Sequence, residues 1–465
     1  MQDITKIRKG LDIPLEGCAR KIVSDARSIG LYAVKPTDYV GLAPRPVVAE
    51  GDTVLAGSPL FVDKNNACAK FVSPVSGTVK AVVRGEKRAL LAVVVASDGR
   101  TECADSAPDD LALLSREQVR QRMVDSGCWT LLRRRPFGIV PLESDNPKAI
   151  FVSCFDSAPL APDYDFVMMG REEDFGTGVE VLAKLTDGPV HLGMRPGQAL
   201  SQLDYGPQVE IHFFEGPHPA GNVGTQIAAV DPIDKGDVVW TISPQEVAIV
   251  GHLFRSGQYR PEKLVALTGP CAASPRYYRI FSGAELDRLC GEQMTSRKGC
   301  RLISGNVLSG TTLPLDSPTL APFLGAHDDL VTLIPEGDYY EFMGWLMPGL
   351  SKFSFHRTFL SGWLRHLPGV ERFLPKMRYD FDTNLHGEPR PLVMTGEFEQ
   401  VFPFDIYPLQ LLKAAIIGDV DLMENLGIYE VEPEDFALCE YIDPSKTDIQ
   451  CIVRTALENI RKEGI

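Results

Sequence analysis

The residues best suited to chemistry lie in one stretch, His212 to Pro232. Val209 to Phe214 reads as a strand and opens into a loop carrying Gly216, Pro217, His218, Pro219, Gly221 and Gly224. Glycines let a backbone turn through positive φ and expose its amides, while prolines fix the loop's path. Such a loop after a strand is built to approach something closely: a phosphate, a cofactor, a partner or the protein's own core. Gly221-Asn222-Val223-Gly224 lacks the three-glycine dinucleotide fingerprint, so a nucleotide is only weakly signalled. His212 and His218 stand six apart without metal-ligand spacing, and no metal site is expected.

The second candidate is Arg133-Arg134-Arg135-Pro136-Phe137-Gly138. Three arginines can clamp an anion or hydrogen-bond a carbonyl, but adjacent arginines more often form a solvated surface. No P-loop, no Gly-x-Ser-x-Gly elbow and no nucleophile with a recognisable base neighbour accompanies them. The ten cysteines form no Cys-x-x-Cys pair and never stand closer than ten residues. That removes the usual signature of iron–sulfur and structural zinc sites and leaves most of them as small buried apolar residues.

The 465 residues suffice for three or four domains, and 44% apolar with 23% charged residues is ordinary globular composition. A net charge of −15 makes a phosphate-tracking surface, and so nucleic acid, a poor prospect. Ala89 to Ala96 and Leu411 to Ile417 fall far short of the roughly 18 apolar residues of a spanning helix. The N-terminus shows no apolar secretory region, so a soluble cytoplasmic chain is expected.

The elements that must position these residues fall into five segments. Residues 1–38 read as an extended arm. Residues 39–100 are all-β, with turns at Glu50 to Asp52 and Ala56 to Pro59 and short strands at Val54-Leu55, Leu60 to Val62 and Leu90 to Val95. With Ser73 to Val79 this segment resembles a biotinyl/lipoyl-type sandwich barrel. A carrier would offer Lys64 or Lys70 on a hairpin tip, but Asn65 to Ala69 interrupts the hairpin, which favours a plain scaffold. Residues 101–259 begin with a helix boxed by Ser115 and Gln118 and stopped by Gly127. Strands at Ala149 to Cys154, Pro189 to Leu192, Val209 to Phe214 and Val238 to Thr241 then alternate with helices. One helix runs from Asp174 to Thr186, closed by Gly188; the other starts at Ser243-Pro244-Gln245-Glu246 and ends at Gly257. This spacing predicts a Rossmann-like parallel α/β layer.

Residues 260–340 read as a β-grasp (SLBB-like) unit. Its strands are Leu264 to Leu267, Tyr277 to Phe281, Arg301 to Gly305, Val307 to Gly310 and Asp329 to Pro335, with Ser282 to Glu285 capping a short helix. Residues 341–465 read as a wrapping segment and a C-terminal helical domain. Aromatic and basic residues (Trp345, Phe353, Phe355, His356, Arg357, Trp363, Arg365, His366, Lys376, Arg378, Tyr379) make the span 336–395 either a docking face or a satellite wrapped on the body. Pro408 opens a helix closed by Gly418, and Asp419 caps another closed by Gly427. In the last helix Ile449, Ile452, Val453, Ala456, Leu457 and Ile460 form one apolar stripe for the core.

Six stretches in this order carry a resemblance over essentially the whole chain: Lys9 to Pro14, Tyr39 to Leu42, Ser73 to Val79, Trp129 to Pro141, Gly216 to Gly221 and Pro403 to Ile406. The chain resembles the A-subunit family of Na⁺-translocating NADH:quinone oxidoreductases. That resemblance implies a peripheral component, on the cytoplasmic side of the bacterial inner membrane, of a six-subunit complex. The complex oxidises NADH, reduces ubiquinone and exports Na⁺, using FAD, FMN, riboflavin and a 2Fe-2S centre carried by other subunits. The membrane-embedded B-subunit would be the chief neighbour. The architecture is also similar to the flavin-binding subunits of Rnf complexes and complex I. Here Arg133 to Gly138 stands where those relatives place a glycine-rich flavin loop, and Cys439 with Cys451 cannot hold a cluster. The resemblance therefore implies a chain with no redox cofactor of its own, inactive when isolated.

A quinone needs an apolar slot and donors to its carbonyl oxygens. Those types are found at Tyr39, Val40, Gly41 and Leu42 and at Arg133, Arg134, Arg135 and Phe137, where the quinone contacts are expected. Gly216, His218, Gly221 and Gly224 then read as a retained structural turn. Two rival readings are a scaffold component that touches no quinone and a stand-alone flavin or NADH oxidoreductase.

Overall fold

Residues 4–34 lace the protein together. The computed structural model describes residues 4–464 apart from 101, 104–107, 109, 318, 345, 351, 357 and 365–377. In it β1 (Ile4–Lys6), β2 (Arg20–Asp25) and β3 (Leu31–Val34) each join a different sheet. The expected arm is extended, but it is woven through three sheets, because its unpaired amides and carbonyls find partners on distant strands.

The barrel adds β4 (Pro44–Pro46), β5 (Thr53–Val54), β6 (Pro59–Asp63), β7 (Lys70–Val72), β8 (Gly77–Arg84) and β9 (Leu90–Ser97). They make a four-stranded sheet, β3-β9-β8-β5, and a three-stranded one, β4-β6-β7. Alternating burial from Gly77 to Lys80 puts Val79 inside and Lys80 outside. Lys70 lies within β7 and pairs with Asp125 at 2.7 Å, so it is not the free tip lysine a carrier needs.

Next come α1 (Arg116–Ser126), β10 (Arg133–Arg135), β11 (Ala149–Ser153), α2 (Tyr164–Val167), α3 (Glu172–Leu185), β12 (Val190–Met194), β13 (Val209–Glu215), α4 (Val223–Val230), β14 (Val239–Thr241) and α5 (Pro244–Ser256). Both predicted capping boxes form, Ser115 with Gln118 and Ser243 with Glu246, and Gly127 and Gly257 end their helices in the left-handed conformation. Helix α3 ends at Leu185 with Thr186 as its cap, short of Gly188. The sheet runs β1-β13-β12-β11-β14-β10, parallel except for β10. The arginine triplet, expected as a loop, is thus an edge strand. Helices α3 and α5 cross where Gly178 and Gly251 meet; a Cβ on Gly251 would collide with the Asp174 carbonyl.

The third sheet contains β15 (Glu262–Thr268), β16 (Arg276–Phe281), β17 (Cys300–Ser304), β18 (Thr311–Leu313) and β19 (Leu330–Pro335), in the order β18-β17-β19-β15-β16-β2, with α6 (Leu286–Cys290) alongside. Helix α6 has Glu285 at its N-cap position and no side-chain cap there, contrary to expectation. Val307 to Gly310 is a turn, not a strand, because the Asn306 side chain accepts from the Leu308 and Ser309 amides (2.8 and 2.9 Å).

The C-terminal part holds α7 (Leu360–Leu364), α8 (Phe398–Val401), α9 (Pro408–Ile417), α10 (Val420–Asn425), α11 (Ala437–Ile442) and α12 (Ile449–Gly464). Asp419 caps α10 by accepting from the Leu422 amide. The stripe on α12 is buried as expected, except that Ile452 is half-buried. Its core also takes in Phe137 and Ile139, so the segment that follows β10 belongs physically to this domain. Trp345, Arg357, Arg365, His366 and Lys376 lie outside the described residues. Among the described residues no helix is long and apolar enough to cross a membrane.

Candidate functional site

Strand β10 pairs antiparallel with β14, Arg134 opposite Trp240, and then folds back through a cis Arg135–Pro136 bond to Ile139. Phe137 at the tip has φ 87°, a left-handed conformation that a bulky residue adopts only when its surroundings hold it. Its ring is buried edge-on to Tyr429 at 6.2 Å, and its carbonyl accepts a 2.9 Å hydrogen bond from the Arg454 guanidinium on α12. Arg135 is 2% exposed and faces three carboxylates: Glu434 at 2.8 Å, Asp435 at 3.3 Å and Glu432 at 3.9 Å. Burial works against its charge, and those carboxylates more than offset this. Burial pushes the Asp435 carboxyl up to about 7, against the pull of Arg135. Arg134 points to Asp145 at 3.4 Å. The triplet is therefore not the solvated surface that adjacent arginines usually make. Its acidic partners, in Glu432-Pro433-Glu434-Asp435, sit about 300 positions away, and other acidic runs such as Glu172-Glu173-Asp174 compete with them in the sequence.

Tyr39 to Leu42 reaches the same neighbourhood from the barrel. The Tyr39 ring packs edge-on against Phe71 (4.5 Å) and His327 (5.3 Å). Burial raises its phenol pKa, with Asp38 and Glu246 adding to the rise, a Thr130 hydrogen bond opposing it and the Arg133 charge opposing it least. Val40 packs on the helical core and Leu42 on the main core. Gly41 (φ 71°) has the Arg461 guanidinium of α12 so close that a Cβ would lie 2.6 Å from its Nη2. Both predicted segments thus dock on α12, at Arg454 and Arg461.

The loop after β13 is filled by the chain itself. The carbonyl of His218 accepts from the Leu11 amide (2.8 Å), its amide donates to Asp12 (2.9 Å), and a Cβ on Gly10 would collide with the same carbonyl. The His218 ring, buried and held neutral with its pKa lowered to about 4, lies 3.1 Å from Ser157 Oγ, which in turn accepts from the Gly221 amide at 2.8 Å. Gly216 lies so close to Ile7 that a Cβ would collide with its carbonyl oxygen, and Gly224 touches Asp435 and Arg135. His212 does not join His218. It lies on β13 with Nε2 2.9 Å from Nδ1 of His191 on β12. That pair was missed because nothing in the spacing of one strand announces its neighbour. Burial lowers the pKa of both rings, His191 to about 4.

Comparison with known proteins resolves the family. Residues 5–98 match a family model described as the NqrA N-terminal barrel-sandwich hybrid domain, 114–259 the NqrA second alpha/beta domain, and 264–314 the NQRA C-terminal domain. The Na(+)-translocating NADH-quinone reductase A-subunit of Alcanivorax borkumensis is 39% identical over 99% of this chain and 100% of its own length. Its counterpart in Hahella chejuensis is 38% identical over 99% and 100%. That of Rhodopirellula baltica is 37% identical over 100% and 99%. The chain belongs to the A-subunit (NqrA) family of Na⁺-translocating NADH-quinone reductases.

With the family in hand, the barrel is a barrel-sandwich hybrid and the second unit an α/β domain, as the sequence suggested. The α4 N-terminus, where an α/β fold of this kind would seat a phosphate, has Asp435 directly against Gly224 with Arg135 beside it. Asp156 lies near enough to Glu434 for the two charges to interact. A phosphate would meet this carboxylate cluster with only one guanidinium, already shared three ways, to balance it. These residues do not fit a nucleotide.

Proposed function

We propose that this chain is the peripheral A-subunit of a Na⁺-translocating NADH:ubiquinone reductase on the cytoplasmic side of the membrane. It supports the quinone end of the electron path and carries no redox cofactor. The observation that carries the quinone part is the convergence of Tyr39–Leu42 and Arg133–Phe137 on one helix. Arg454 and Arg461 are seven residues apart, about two turns, or roughly 10.5 Å along α12. Within that seam Arg133 and Tyr39 are the donors for a quinone carbonyl. Arg135, Arg134 and Phe137 are engaged with Glu434 and Asp435, with Asp145 and with the helical core, so they position the seam. The carboxylate-filled end of α4 supports the cofactor-free reading.

In the assembled complex Arg133→Ala is expected to raise the apparent ubiquinone KM roughly tenfold or more. A hydrogen bond from a charged donor contributes about 1.5–3 kcal/mol. NADH oxidation by an artificial acceptor should be unchanged. The scaffold reading draws its strength from the engagement of Arg134, Arg135 and Phe137, and an unaltered quinone dependence would decide for it.

The span after β19 supplies the docking face. Tyr340, Phe342, Leu346, Met347 and Trp363 are largely exposed, a density of large apolar side chains that a solvated surface does not sustain. We assign this face to the membrane-embedded B-subunit. Tyr340→Asp with Phe342→Asp should leave the isolated chain folded, by circular dichroism, yet absent from complex purified out of detergent-solubilised membranes. Normal recovery of the doubly substituted chain would remove the assignment.

A further inference from the structure

We propose that His191, Glu210 and His212 form a binding site for a divalent transition metal of the zinc class, which clasps strands β12 and β13. In the parallel register of these strands His191 stands opposite Glu210 and Gly193 opposite His212. Residues two apart on a strand share a face, so the three side chains converge on one side of the sheet. Among the described residues they are the one trio of His, Cys, Asp or Glu whose ligand atoms all lie within 4.8 Å of one another. His191 Nδ1 and His212 Nε2 are 2.9 Å apart, and each lies 3.6 Å from Glu210 Oε2.

Those three distances decide the size of the ion. A triangle with sides of 2.9, 3.6 and 3.6 Å has a circumradius of about 2.0 Å. Zinc–imidazole and zinc–carboxylate bonds are also roughly 2.0–2.2 Å. An ion near the plane of the three atoms therefore stands at bonding distance from all of them. Calcium, at about 2.3–2.6 Å and with six or more oxygen ligands, is too large and too hard for the set, and magnesium prefers oxygen donors throughout. Two imidazoles and one carboxylate are the donors of three-ligand zinc sites that keep an open position.

The surroundings suit a cation that enters from solvent. The side chain of His191 is 5% exposed, that of His212 25% and that of Glu210 57%, so the site grades from the sheet core to water and leaves outer positions for water ligands. The Phe151 ring lies against His191, centroids 4.4 Å apart, and fixes its plane. Asp231, the residue that ends α4, is near enough for its charge to act on His191. A helix C-terminus adds negative potential of its own. His191 and Glu210 are the second residues of their strands, whereas the Gly216–Gly224 loop follows the far end of β13. The site is thus separate from the seam at α12, and its existence does not depend on the quinone reading.

The alternative is a plain hydrogen-bonded histidine pair, and metal titration separates the two. Full-length chain freed of metal with a chelator should bind one equivalent of Zn²⁺ by calorimetry and raise its Tm. Co²⁺ should give visible d–d bands of a four- or five-coordinate site. His212→Ala and Glu210→Ala, at exposed or half-exposed positions, should keep the circular dichroism of the apo chain. Each should weaken binding by at least the roughly 10–100-fold that loss of even an outer hydrogen-bonding partner costs a metal site. The exposed His386→Ala should bind as the parent does. Absence of stoichiometric binding overturns the proposal, and so does stoichiometric binding that survives His212→Ala and Glu210→Ala unchanged, which would place an adventitious ion elsewhere.

Discussion

Arg135→Ala is expected to destabilise the protein by about 3–5 kcal/mol at pH 8, and by much less at pH 5.5. The guanidinium is buried and is the cation shared by Glu434, Asp435 and Glu432. Removing it strands the buried Asp435 and Glu432 carboxylates out of reach of water, though not the part-exposed Glu434, and that desolvation accounts for the large figure. The pH dependence follows from the direction of the shift. Burial raises the Asp435 carboxyl to about 7 in the folded protein, above the roughly 3.9 of an unfolded aspartate. The folded state therefore holds a proton that the unfolded state releases between those values. This group's penalty is complete above about pH 7 and is relieved as pH falls through 7 towards 4. Without Arg135 the folded pKa rises further, so acid relieves the variant more than the parent. Urea unfolding of both proteins at the two pH values, followed by far-ultraviolet circular dichroism, reads the difference, in which titration elsewhere largely cancels. A pH-independent difference, or one under about 1 kcal/mol, would mean that the cluster is not charged as described.

The same residue shows where the sequence stopped being legible. Features whose partners lie within one turn were readable: the boxes at Ser115 and Ser243, the glycine stops at Gly127 and Gly257, and the stripe of α12. Each rests on contacts three or four residues apart. Features whose partners lie hundreds of residues away were not. Arg135 reads as surface until Glu434 and Asp435 arrive, and β1 reads as a loose arm until Ile4 finds Phe213. His191 looks like an isolated histidine until β13 brings Glu210 and His212 to its side. The turn at Val307 to Gly310 failed for the opposite reason, because a very local competitor, the Asn306 side chain, captured amides that apolar patterning gave to a strand. Of the eight residues expected at the quinone, Gly41 and Phe137 meet α12, at Arg461 and Arg454, while Arg134 and Arg135 turn to Asp145 and to the Glu432, Glu434 and Asp435 carboxylates. Which of them keep a free polar group depended on partners that only the fold supplies.

Lys263→Met should cost a similar amount, about 3–5 kcal/mol, and for a related reason. The Lys263 side chain is fully buried, with Nζ 3.2 Å from Asp329, 3.6 Å from Glu246 and donating to the Ala326 carbonyl at 2.9 Å. Burial lowers its pKa, but the two carboxylates more than offset this and leave it raised, so the amine stays charged. Glu246 sits in the first turn of α5 and Asp329 beside β19, while Lys263 lies on β15. One ammonium therefore ties the α/β domain to the third sheet. Methionine keeps most of the volume and removes the charge, so packing loss contributes little. Glu246 retains His327 at 2.7 Å and Asp329 retains the Tyr164 hydroxyl at 2.9 Å; neither partner replaces a full positive charge. Adding Asp329→Asn to Lys263→Met removes one stranded carboxylate and should restore at least about 1 kcal/mol, within the range for residues in direct contact. If urea unfolding finds the two changes additive, Lys263 acts through packing and not through its charge. Because His327 is held by Glu246 and faces the Tyr39 ring, loosening of this cluster should also reach the α12 seam from its barrel side.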